Sequence, residues 1–348
     1  MRNVLTILAA CTVFTATALQ AEDASSDPFV CAATPKAVVS LNHGSRYVAA
    51  DKSRSEFDDA ANDEVDAQLK PVDAFITDLA NAANRAVSHP DDRKAAVDCV
   101  LSGLANWAGA DALSDLSTMN AQLSAPSRIA GLAFAYAQVK HLSDPSDDQA
   151  IADRAMIEGW LTVRARATMT YFDVEAPSKA SRNNLRAWAA LAVARIGLTV
   201  EDAAMIDWAD ASVRLVACQA AADGSLPLEM ARRNLALHYQ LHAVTPLVVT
   251  AALLQARGHD LFMACDRALH RAVGFSLDAF EDPKLVETLT GNPQSYFDGS
   301  EKLRGFELAW AEAYLSLFYA PRLTAFVASY GALGNSKLGG KQSLLWAM

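Results

Sequence analysis

From residue 59 onward, apolar positions recur every three or four residues, with Ala as the common filler between them. That spacing puts them on one face of a 3.6-residue turn. The pattern predicts helices over 71–88, 91–108, 110–123, 127–142, 147–171, 183–196, 200–222, 228–257, 261–279, 305–317 and 321–329. Ser143-Asp144-Pro145 marks one break. Asp223-Gly224-Ser225 marks another, with a glycine suited to a left-handed helix end. Strand-like alternation is confined to 38–41 and a segment near Tyr47. Many helices joined by short turns imply antiparallel neighbours, stacked as a bundle, a superhelix of pairs or a closed ring of hairpins. No fixed-length repeat occurs, which disfavours a regular solenoid. The connections 41–59, 173–182 and 280–304 are long, and long loops in a compact domain commonly serve function.

Composition then narrows the class. With 348 residues, 52% of them hydrophobic, the chain can bury a large core. Arg2 precedes an apolar run at 4–19, which reads as a secretory signal peptide cleaved after Ala21. A lipobox ending at Cys11 competes, but too few apolar residues precede it. The expectation is a leader at 1–21 and one domain at 22–348, exported to the periplasm or secreted. No later run is expected to span a membrane, since 243–256 falls short of the ~20 residues required. Beyond the leader, Cys31, Cys99, Cys218 and Cys265 allow three pairings that spacing does not separate. Cys218 and Cys265 fall on apolar helical patterns and read as buried free thiols. No cysteine–histidine spacing fits zinc. A formal charge of −10 argues against nucleic acid. An anionic ligand would need basic residues gathered locally.

Two stretches carry candidate chemistry. Residues 181–193 place Asn183, Asn184, Arg186 and Trp188 at the head of an apolar helix. Asn is a poor helix-interior residue but a good N-cap, so the pair reads either as a cap or as a ligand-holding amide. Residues 225–247 contain Glu229, Arg232, His238, Tyr239 and His242. Seven residues at ~100° each make nearly two turns, so Arg232 and Tyr239 are expected on one face of a continuous helix. His242 falls on the same side and His238 next to it. Glu229 has no second carboxylate at a spacing a glycosidase would use.

Together, S-L-P-x-E-x-x-R-x-x-x-A-L-x-Y at 225–239 and N-N-x-x-x-W at 183–188 resemble the alginate lyases of polysaccharide lyase family 5 and relatives that cut other β-1,4-polyuronates. SRYVAADKSRS at 45–55 resembles that family's loop over the groove, and DCVLSGLANWA at 98–108 one of its helices. The resemblance implies an incomplete α/α toroid, a monomer, an anionic polysaccharide as partner and cleavage by β-elimination. It implies no metal or organic cofactor, because amides replace the metal ion on the carboxylate. It gives Asn184 the role of neutralising the uronate carboxylate, with Asn183 beside it, and Tyr239 the acid/base role, supported by Arg232 and by His238 or His242. Arg46, Tyr47, Arg54, Arg186, Trp188 and Tyr296 become candidate substrate contacts. It also implies a Cys31–Cys99 disulfide.

One position departs. Family members carry a histidine after the paired asparagines, and this chain has Leu185. Three outcomes follow from that. Another histidine serves on alginate, or the substrate is a different polyuronate such as polyglucuronate, or the protein binds polymer without cleaving it.

Overall fold

The structure is a computed structural model that describes residues 28–295 and 303–346. Helix α1 (Asp59–Ser88) starts where the Asp58 carboxylate accepts the Ala61 N–H at 3.0 Å. Helices α2 (Arg93–Gly109), α3 (Met119–Val139) and α4 (Asp148–Thr170) follow, with α3 and α4 capped by Thr118 and Asp147. Next come α5 (Asn184–Val200), α6 (Ala203–Ala217), the short α7 (Pro227–Met230) and α8 (Ala236–Gln255). The chain ends with α9 (Ala264–Glu281), α10 (Lys284–Thr290), α11 (Trp310–Leu315), α12 (Pro321–Val327) and α13 (Gln342–Leu345).

Packing resolves these into two layers. Helices α1, α3, α5, α8 and α11 contact one another in that order as an inner layer, and α2, α4, α6 and α9 back them. This is an incomplete α/α toroid. Helix α5 sits between α3 and α8, and its Ala- and Leu-rich surface is buried almost all round, which allows close approach on every side. Among the described residues, no helical hairpin completes the ring between α11 and α1. Strands β3 (Gly334–Asn335) and β4 (Gly340–Lys341), an antiparallel pair, and α13 pack there instead.

Four helix boundaries differ from expectation. Pro71 and Pro126 were expected at or between helix starts, yet both lie inside helices, α1 and α3. An internal proline costs a hydrogen bond and a clash. The buried stripe Val65, Leu69, Val72, Phe75 and Ile76 crosses Pro71 unbroken, and its burial outweighs that cost. Residues 110–118 form a turn containing β2 (Asp115–Leu116), which pairs in parallel with β1 (Ser40–Leu41), so the weak strand signal at 38–41 is a real strand. The expected helix 228–257 is broken by Arg233, whose φ of 54° ends α7 before α8 begins. The stretch Arg233–Gln255, which includes α8, is long and apolar enough by composition to cross a membrane, but here most of it is buried as core of the toroid.

Cys31 and Cys99 are bonded, as the resemblance implied, and tie the N-terminal segment to α2. Cys218 and Cys265 are bonded too, with Cα atoms 5.4 Å apart, which overturns the free-thiol reading. Neither lies on a buried face. Cys218 caps α6, and Cys265 stands in a left-handed turn that opens α9, so both are exposed and adjacent.

Candidate active site

A cavity of about 300 Å³ opens at the N-terminal ends of α3, α5 and α8, where the positive ends of the helix dipoles favour an anion. Its lining includes Arg46, Arg54, Arg128, Arg232 and Lys337, and no Asp or Glu. A second cavity of about 790 Å³ shares Trp188, His242 and Lys337 with it and runs under β3 and β4 past Phe306. The two make one extended groove. The chain is acidic overall, yet its bases converge here.

Asn183 and Asn184 divide the two readings between them. Asn183 is the N-cap of α5, its Oδ1 accepting the Leu185 N–H at 3.0 Å, and it does not line the groove. Asn184 lines the cavity and is held from behind by Glu229. Its backbone N–H donates to Oε1 and its Nδ2 to Oε2, both at 2.8 Å. Its Oδ1 lies 3.1 Å from His242 Nδ1, and the Trp188 indole N–H donates to that same nitrogen at 2.9 Å. Burial raises the Glu229 carboxyl to about 7, against the opposing pull of the Asn184 N–H groups and Arg232.

Tyr239, His238 and His242 project from the first turns of α8 into the cavity. Arg232 reaches the same place by another route than expected. It lies before the Arg233 turn, outside α8, and its guanidinium sits 3.5 Å from the Tyr239 ring centroid. The Arg232 N–H groups donate to the Arg54 carbonyl. Burial and Tyr47 raise the Tyr239 phenol, and Arg232 pulls it the other way. Burial, with the field of Arg232, lowers His238 to about 4. Burial also lowers His242 well below its usual value, so both imidazoles are neutral near pH 7.

The loop 45–57 covers this floor. The hydroxyl of Tyr47 contacts that of Tyr239, and Tyr47 stacks on Phe57 with centroids 5.2 Å apart. Arg46 bonds Asn62 at 2.8 Å and pairs with Asp66. The loop has internal order. Burial works against the Asp51 carboxylate, but hydrogen bonds from Ser53, Ser55 and Glu56 hold it well below the usual carboxylate range.

Asn183 apart, one expected contact falls elsewhere. Arg186 points away from the cavity: it pairs with Asp173 at 2.8 Å, donates to Ser212 and the Phe172 carbonyl, and lies over Trp208. It braces α5 against α6 and the segment after α4. Tyr296 lies outside the described residues. The sequence reading also missed residues that line the groove. Arg128, bonded to Asp73 at 2.7 Å, was visible only as a lone cation in the apolar α3. Ser124, bonded to His43 Nε2 at 2.9 Å, and Lys337 carried no local signal. Burial and Arg128 lower Lys337 to about 8.

A basic groove across an α/α toroid, floored by a carboxamide and a phenol, defines a protein built to hold and process an acidic glycan chain. Comparison with known proteins gives the particular family. The sequence profile described as alginate lyase matches residues 15–286. A polysaccharide lyase of Stenotrophomonas maltophilia (strain K279a) is 31% identical over 301 residues, covering 85% of each chain. An alginate lyase of Azotobacter vinelandii is 30% identical over 303 residues, covering 85% of this chain and 78% of that one. Among solved structures, a histidine-to-alanine variant of alginate lyase A1-III complexed with a tetrasaccharide superposes with a TM-score of 0.75 at 22% identity. That match covers 93% of this chain and 88% of the other. The chain belongs to the alginate lyase family and is a polysaccharide lyase.

Proposed function

We propose that the protein cleaves a β-1,4-linked polyuronate, polymannuronate or polyglucuronate, by β-elimination. The observation that carries this is the convergence of Tyr239 and the fully buried Asn184 on the wall of one cavity whose lining holds four arginines, a lysine and no acid. In both polymers the C5 hydrogen and the C4 oxygen lie on the same face of the ring, so one group can serve both. Tyr239, as phenolate, takes the C5 proton. The electron pair forms the C4–C5 double bond, the C4–O bond breaks, and the phenol returns the proton to the departing oxygen. The Asn184 amide and the neutral imidazoles supply donors to the carboxylate while negative charge accumulates on it. Leu185, where relatives carry histidine, lines the cavity with an apolar side chain and leaves proton transfer to Tyr239.

The Tyr47 hydroxyl contacts that of Tyr239 across the cavity. Polymer entry must part Tyr47 from Tyr239, which removes one influence that raises the phenol and leaves Arg232 to favour the phenolate. The larger cavity beyond His242 and Lys337 offers room for sugars next to the one being cleaved. We further propose that the protein works outside the cytoplasm. The leader-like N-terminus and the two disulfides support that placement.

A panel of polymannuronate, polyguluronate, polyglucuronate and hyaluronan, followed by the ultraviolet absorbance of the unsaturated product, tests the reading. Signal on the first or third, with polyguluronate poor because its C5 hydrogen lies on the opposite face, is the expected result. Tight binding with flat traces on all four would make the protein a non-catalytic polyuronate binder.

A further inference from the structure

Elimination needs an amide facing the substrate carboxylate, but it does not explain the acid behind that amide. Glu229 is 1% exposed and is absent from the cavity lining, whereas His242 lines it. Asn184 stands between the two, with Nδ2 turned to Glu229 and Oδ1 to His242. The amide therefore shows its oxygen to the groove side and spends an N–H on the buried carboxylate. That is the wrong polarity for a uronate, which needs donors.

The neighbours show that this orientation is not fully satisfied. The Trp188 indole can only donate, and a neutral imidazole nitrogen either donates or accepts. If His242 Nδ1 accepts from Trp188, then Asn184 Oδ1 beside it faces a second acceptor. If Nδ1 donates to Oδ1, the indole loses its acceptor. Turning the amide over brings Nδ2 to the groove side and Oδ1 to Glu229. Oδ1 then needs a donor, and an ionised carboxylate offers none. A protonated carboxyl does: Oε1 keeps the backbone N–H of Asn184 while Oε2–H donates to Oδ1.

We propose that Glu229 is a positioning residue that works in its neutral form, donating to Asn184 Oδ1 and so turning Nδ2 toward the uronate carboxylate. The proposal rests on the elimination reading above. The environment supports it. The site is deeply buried, and a bound uronate brings a second negative charge that opposes ionisation of Glu229. Donation to Oδ1 also polarises the amide and strengthens its remaining N–H as a donor. The charge acting on the carboxyl is Arg232, just beyond α7, which holds it back from rising further. Helix α5 presents the uncharged Asn184 and Trp188, α8 presents His238 and His242, both neutral, and the α10 residues Lys284 and Glu287 lie in solvent. Burial raises Glu229 to about 7, and the negative charge of a bound uronate raises it further, so binding at neutral pH should draw a proton onto it.

Two measurements test this. The first is kcat/KM from pH 5.5 to 9 for wild type and Glu229→Gln, because glutamine offers the neutral donor and acceptor at every pH. The variant is expected within about threefold of wild type at pH 6 and to gain on it by up to about tenfold per pH unit above 7, the slope of one ionisation. A uniform loss of tenfold or more with an unchanged profile marks a merely structural carboxylate and overturns the proposal. The second is calorimetry of a mannuronate or glucuronate tetramer binding to Tyr239→Phe in buffers of different ionisation enthalpy. Proton uptake that is absent below pH 6, appears near pH 7.5 and disappears in Tyr239→Phe/Glu229→Gln is expected. If the double variant does not fold, uptake near pH 7.5 that persists in Tyr239→Phe/Lys337→Ala decides, because Lys337, lowered to about 8, would otherwise contribute a proton of its own. Uptake independent of pH, or equal with and without Glu229, overturns the proposal. Absence of cleavage by wild type on every polymer would sink the elimination reading, and the uptake would still decide this one. Absence of binding would remove both.

Discussion

Asn183 and Asn184 are adjacent and chemically identical, yet the fold uses one as a helix cap and the other as a groove residue. The sequence posed this choice without deciding it, because capping depends on backbone angles and ligand contact on direction. Tyr239 and Arg232 were legible as a pair. The reason offered for their meeting was not: a chain turn at Arg233, rather than a continuous helix face, brings them together. Glu229 was legible only as a carboxylate without a partner carboxylate, since its partner is an amide 45 residues earlier. Its buried state has a consequence for stability. A carboxyl raised from 4.5 to about 7 favours the fold fully below its unfolded value and loses that contribution as pH rises through 7. Relative to Glu229→Gln, wild type should lose about 3 kcal/mol of stability between pH 4.5 and 8. Urea melts of both proteins across that range check it, and a constant difference would show that the carboxyl ionises freely.

Helices were the most legible feature, because burial along a stripe repeats visibly in the chain. Their ends were less so. Proline marks a local preference, and at Pro71 and Pro126 the tertiary burial on either side overrides it. Where backbone geometry itself was the signal, the reading held. Gly224 has φ of 95°, and an added Cβ would come within 2.1 Å of the Arg271 carbonyl oxygen. Gly224→Ala should therefore destabilise the α6–α7 connection by more than the ~1 kcal/mol of an ordinary left-handed site, and thermal melting measures it. The Cys218–Cys265 bond was not legible, since no pattern reveals that a helix end and a distant turn touch. It closes a loop with a sequence separation of 47. Replacing both cysteines with alanine should cost about 2–4 kcal/mol and leave kcat unchanged, because the bond lies away from the groove. A matching loss in kcat at temperatures where the variant is folded would show that the bond shapes the site.

The net charge of −10 and the basic groove describe different parts of one surface. Composition showed the first and required the second, but the gathering itself depends on topology. Arg46 and Arg54 arrive on a loop, Arg128 on α3, Arg232 from a turn, and Lys337 on the segment that fills the gap in the ring. Lys337 lies beyond residues 15–286, the part matched to the family, and had no motif to announce it. Attraction gathered this way is screened over about 8–10 Å at moderate salt. KM for polymer should rise several-fold between 50 mM and 500 mM salt while kcat stays within twofold; a flat KM would mean that contacts other than charge hold the chain. Lys337, lowered to about 8, loses its charge as pH rises through that value, so KM should rise there in wild type and not in Lys337→Ala. The central claim is that the Tyr239 phenol moves the proton from C5 to the departing C4 oxygen. Its most direct test is turnover of Tyr239→Phe on the polymer that wild type cleaves, with binding measured in parallel. The account predicts binding retained and product formation down by at least ~10³-fold; unsaturated product at the wild-type rate would contradict it.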